Sequence, residues 1–173
     1  MNTNGCLYLI DANIIIHAHS FYYPLNRVPE FWEWLLFHAK NNNIKLPIEI
    51  INEVKGGDKD EHAKWVHEKN NKSILLLDEN LHIGNLNKVL SEGYADDLSD
   101  VELEKIGEDP FLISYGLSSP ENRVIVSNET SSPSKLRANR KVPDVCKQMG
   151  VRCCNVYTMI RELDFRTNWK SSL

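Results

Sequence analysis

The chain has 173 residues and a net charge of −4, with 42% hydrophobic and 25% charged residues. This length fits one domain, residues 1–173, with a sizeable core, and the composition excludes a disordered chain. No apolar run approaches the roughly 20 residues that span a bilayer. The polar start, Met1 to Gly5, lacks the pattern of a secretory signal, so a cytoplasmic protein is expected, without membrane contact.

Cys6 to Ile10 is a short apolar run ended by Asp11, the pattern of a buried parallel strand. A connection with Pro24 and Pro29 follows. Phe31, Trp34, Leu35 and His38 then recur at steps of three and four, predicting one buried face of a helix that stops at Asn41-Asn42-Asn43. Ile44 to Leu46 predicts a brief strand. Pro47 opens a helix with Ile48, Ile51 and Val54 inward and Gly56-Gly57 at its end. Residues 58–70 predict a polar helix anchored by Trp65, and 73–78 (SILLLD) a buried strand. Two further helices are predicted before Gly107, the second capped by Ser99.

Asp109 as N-cap and Pro110 at the first helical position predict a helix over DPFLISYGL. The segment NRVIVSNE predicts a strand ending at Ser127, and residues 127–143 a mobile loop. A helix capped by Asp144, the strand VRCCNV and a last helix, YTMIRELDF, complete the chain. Alternating strands and helices predict an α/β fold with a mainly parallel sheet. The four cysteines form no C-x-x-C pair, which argues for structural thiols and against zinc or an iron–sulfur cluster. No glycine-rich nucleotide loop is present.

In open α/β sheets, active sites form at the carboxyl ends of strands. Asp11 and Glu129 each follow a predicted strand, Asp109 opens a helix, and Glu53 ends one. Carboxylates gathered in one cleft repel one another unless protonated or neutralised by a cation. Hard oxygen donors suit Mg²⁺ or Mn²⁺, and such ions promote phosphodiester hydrolysis. Periodicity alone does not bring the four acids together. Lys135, Arg137, Arg140 and Lys141 follow closely and would hold phosphates, or simply form a solvated loop. Phe21, Tyr22, Tyr23, Phe31, Trp32 and Trp34 are read as core or a dimer contact before base stacking. His17 and His19, two apart, do not share a helix face and are not read as a metal pair.

The pieces LIDANIII, IINEV, DPFLISYGL and VIVSNE, in this order, resemble the acidic motifs of the PIN-domain ribonucleases, specifically an uncharacterised prokaryotic branch. The resemblance covers nearly the whole chain. It implies a three-layer α/β/α fold with four to five strands in the sheet. It also implies Asp11, Glu53, Asp109 and Glu129 as catalytic metal ligands for Mg²⁺ or Mn²⁺, with Asn13 and Ser127 as polar helpers. Many relatives carry Asp where Glu129 stands, and Asn128 is the alternative at that position. By the same resemblance the chain is an endoribonuclease toxin acting on RNA, a homodimer blocked by a protein antitoxin. Two other readings stand beside it. A dehalogenase-type phosphatase is disfavoured because Asn13 stands where a second Asp is needed. A non-catalytic binding module on the same fold would not bind divalent metal.

Overall fold

The computed structural model describes residues 5–56 and 60–172. Four parallel strands form the sheet in the order β2-β1-β3-β4: β1 (Leu7–Ile10), β2 (Ile44–Lys45), β3 (Arg123–Val126) and β4 (Arg152–Cys154). Tyr8 pairs with Val124 and Leu9 with Ile125 across β1 and β3, and Ile125 pairs with Cys153 across β3 and β4. Because all four strands run the same way, their carboxyl ends lie along one edge. Asp11, Ser127 and Asn155 leave the sheet there. The ladder continues past the strands, with Asp11 N donating to Val126 O and Ser127 N to Cys154 O, both at 3.0 Å.

Helices cover both faces, as expected for a parallel sheet. The helices are α1 (Ala12–His17), α2 (Pro29–Lys40), α3 (Ile48–Glu53), α4 (Glu61–His67) and α5 (Lys69–Leu75). They continue with α6 (Ile83–Lys88), α7 (Asp100–Ile106), α8 (Asp109–Leu117), α9 (Val142–Met149) and α10 (Val156–Glu162). On one face α8 lies close enough to β3 that a Cβ on Gly116 would stand 2.9 Å from Ile125 Cδ1. On the other, Tyr8 donates its hydroxyl to Glu162 of α10. Alternation along a strand sends Tyr8 and the Ile125-facing positions to opposite sides. The predicted face of α2 is buried, and Trp32 adds to it by packing edge-on against Trp65, 4.7 Å between ring centroids.

Several expectations change. Residues 73–78 do not form a strand. Glu68 accepts from Asn70 N and Asn71 N and starts α5, which runs through Leu75. Only an isolated parallel bridge, Leu46 to Leu76, remains. On α3 the buried side chains are Ile50 and Ile51, joined by Val54 at its C-cap, whereas Ile48 is exposed. Gly57, and residues 58–59 of the predicted polar helix, lie outside the described residues. Asp144 does not cap α9. Lys141 takes the cap position, and the Asp144 carboxylate accepts from Ser131 Oγ and from Ser132 N at 2.7 Å. All four cysteines are free thiols. No helix among the described residues is long and apolar enough to cross a membrane.

Candidate active site at the carboxyl edge

Asp11 sits at the end of β1 and is 2% exposed. Its Oδ1 accepts from Asn13 N at 3.4 Å, capping α1, and its Oδ2 accepts from Ser127 Oγ at 3.3 Å. Asn13 supplies the capping amide, while its residue as a whole is exposed. Ser127 is itself buried and also accepts from Glu129 N at 3.3 Å. One hydroxyl therefore links the turn after β3 to the acid after β1. Burial raises the Asp11 carboxyl, and the Glu129 charge adds to this against the hydrogen bonds from Asn13 and Ser127.

Asp109 opens α8, but it is not the cap. Glu108 holds that position without a side-chain hydrogen bond, so the Asp109 carboxylate is left for the cleft. It is pushed up to about 8, first by burial and then by Asp11, Glu129 and Glu53, with Lys141 opposing. Glu53, at the end of α3, is raised to about 7 by loss of solvent and by Asp11 and Glu108. Its residue retains exposed surface. Asp109 thus feels the charge of the other three acids.

Glu129 has found a cation within the chain. Its carboxylate accepts from Lys141 Nζ at 2.6 Å and from Val142 N at 2.8 Å, which fastens the segment after β3 to the start of α9. Asn128 turns the other way, and its Oδ1 accepts from Val156 N at 3.1 Å at the start of α10. Of these two neighbours, Glu129 is the one that shares a cavity with Asp109. That cavity, of about 290 Å³, is also lined by Lys105, Lys135, Arg140 and Lys141.

The basic residues divide. Lys135 is exposed at the cavity. Arg140 lines it but donates to Gly93 O and Gln148 Oε1. Arg137 faces away and bonds Asp97 and Glu102, with Nε to Glu102 Oε1 at 2.7 Å. The stretch read as a mobile loop is therefore held from outside by Arg137 and Arg140, which reach Asp97, Glu102 and Gly93, and closed on itself by Lys141 with Glu129 and by Asp144 with Ser131 and Ser132.

Three contributors escaped the sequence reading. Lys105 lines the cavity from α7, four residues before Asp109. Glu108 adds its charge beside Glu53, and Glu49 in turn raises Glu108. Glu49 and Glu53, four apart on a helix, share a face, which is the signal that would have paired them.

The donor set is made of carboxylate oxygens, which suits a hard divalent cation. Among the described residues, no three His, Cys, Asp or Glu side chains converge closely enough to enclose an ion. The acids supply charge and donor chemistry, and the Lys141 ammonium offsets part of that charge.

A family model described as a domain of unknown function (DUF4411) matches residues 8–167. No curated protein and no solved structure shows significant similarity to the chain.

Proposed function

Since the chain belongs to the DUF4411 family, whose description assigns no activity, we propose from its site that it is a metal-dependent endoribonuclease of the PIN type. The observation that carries this reading is the cavity that Asp109 and Glu129 share with Lys105, Lys135 and Lys141, tied to the buried Asp11 through Ser127. Asp11, Glu53, Asp109 and Glu129 would hold Mg²⁺ or Mn²⁺, which supplies an activated water and charge stabilisation for phosphodiester hydrolysis. The chain's own residues do the rest. Ser127 fixes the Asp11 carboxylate, Glu129 anchors Lys141 at the cavity, and Lys105 and Lys135 attract the phosphates that the acids alone would repel. The role of a toxin held in check by a protein antitoxin, acting as a homodimer, rests on the PIN resemblance.

The test is incubation of labelled mixed RNA with purified protein in Mn²⁺, in Mg²⁺ and in excess EDTA, beside Asp109→Asn. Cleavage that needs metal and disappears in the variant is expected. Cleavage that survives both EDTA and the substitution would sink the reading.

A non-catalytic module is the second reading. The absence of a three-ligand cluster among the described residues favours it, together with the Lys141–Glu129 pair. Failure to bind Mn²⁺ in calorimetry is its expected signature. A phospho-aspartate mechanism has less support, because Asp11 is buried with a hydrogen bond on each oxygen.

A further inference from the structure

The molecule exposes aromatic rings, on segments that leave the same carboxyl edge, that the core does not use. Phe21 is 69% exposed, Tyr22 41% and Tyr157 43%, whereas Phe31, Trp32 and Trp34 are buried. Phe21 and Tyr22 end the π-helical turn Ala18–Tyr22 that continues α1, and α1 is capped by Asp11. Tyr157 lies in the first turn of α10, next to Val156, whose amide binds Asn128, the neighbour of Glu129. Tyr22 and Tyr157 meet edge to face with centroids 5.8 Å apart, and Phe21 meets Tyr22 at 6.1 Å. Two segments that leave the carboxyl edge from different strands therefore join their rings at the surface. Arg161, four residues past Tyr157 on the same helix, is exposed and forms no ion pair among the described residues. Lysines line the cavity beside the acids, at Lys105, Lys135 and Lys141.

We propose that Phe21, Tyr22 and Tyr157 form a stacking platform for the bases of a single-stranded nucleic acid whose phosphates lie on the cavity lysines and Arg161; this rests on the nuclease reading for its placement at the cleft. Charge complementarity selects this occupant over a second copy of the chain. Arg161 lies one helical turn past Tyr157 on α10, and a strand brings both π-faces and phosphates. A duplex keeps its bases stacked on one another and offers the platform nothing.

The experiment measures anisotropy of a fluorescent oligouridine, the matching oligothymidine and a duplex of equal length, all in EDTA. The wild type is compared with Phe21→Ala and with the double variant Tyr22→Ala/Tyr157→Ala. Both variants change exposed side chains, so thermal melting should match the wild type and confirm intact folding. Single-strand affinity should fall about tenfold or more in the double variant for both oligonucleotides, with duplex affinity unmoved. Undetectable single-strand binding by the wild type, or unchanged affinity in the variants, overturns the proposal. So does a dimer in sedimentation that the substitutions dissociate without loss of affinity, which gives the surface to a second copy. Ring-dependent binding without metal-dependent cleavage leaves the platform standing and removes the nuclease. Cleavage that is indifferent to the rings does the reverse.

Discussion

The Ser127 hydroxyl donates to Asp11 Oδ2 at 3.3 Å, joining the end of β3 to the end of β1 inside the protein. The same oxygen accepts from Glu129 N, so one side chain sets both the buried acid and the course of the backbone that carries the fourth acid. Ser127→Ala should lower unfolding free energy by about 1–2 kcal/mol, because Asp11 loses a partner it cannot replace with water. Urea titration reads that loss. Nuclease activity should fall as well, and Ser127→Thr should restore part of both.

The raised acids give the protein a pH signature. Glu53 and Asp109 are held near 7 and 8, far above ordinary carboxylates near 4. Between those limits the folded chain binds more protons than the unfolded one. Their contribution is fully present below about pH 4 and is lost as pH rises through 7 to 8. In EDTA, melting temperature should therefore fall between pH 5 and pH 8. Asp109→Asn should flatten that fall, and Mn²⁺ should reverse it at pH 8 by binding the ionised form. A melting temperature that climbs with pH in EDTA would refute the assignment of these two groups.

Lys141 neutralises charge at Glu129 and Asp109. Replacing it with Met removes a cation from the acids and a phosphate contact from the cavity. Mn²⁺ should bind a few-fold more tightly in calorimetry, while RNA binding weakens and its salt dependence becomes shallower. Moving both affinities the same way would contradict the place given to Lys141.

At Gly116 α8 approaches the sheet closely. A Cβ there would stand 2.8 Å from Val151 Cγ1 and 2.9 Å from Ile125 Cδ1. Gly116→Ala should destabilise the protein by about 1–3 kcal/mol through overpacking, despite the better helix propensity of alanine. Because α8 begins at Asp109, the displaced helix should also reduce metal affinity. Chemical denaturation and calorimetry on the same preparation check the two effects together.

Much of this architecture is local, and the sequence by itself determined it. Strand formers at 7–10 and 123–126, the apolar face of α2, Ser99 as a cap and Pro110 at the start of α8 depend on near neighbours. Strands followed at once by Asp11 and by Ser127 to Glu129 also placed these residues on one edge, because parallel strands share their carboxyl side. Tertiary structure decided what each side chain does there. Glu129 meets Lys141 and shares a cavity with Asp109, Asn128 turns to α10, and Arg137 is drawn off to Asp97 and Glu102. The fate of residues 73–78 went the same way, since a cap at Glu68 outweighed a strand-like run with only Leu46 to pair. Helix starts and apolar periods are set by residues within a turn or two of each other. The pairing of charges is set by contacts between elements far apart in the chain, and no local pattern encodes those distances.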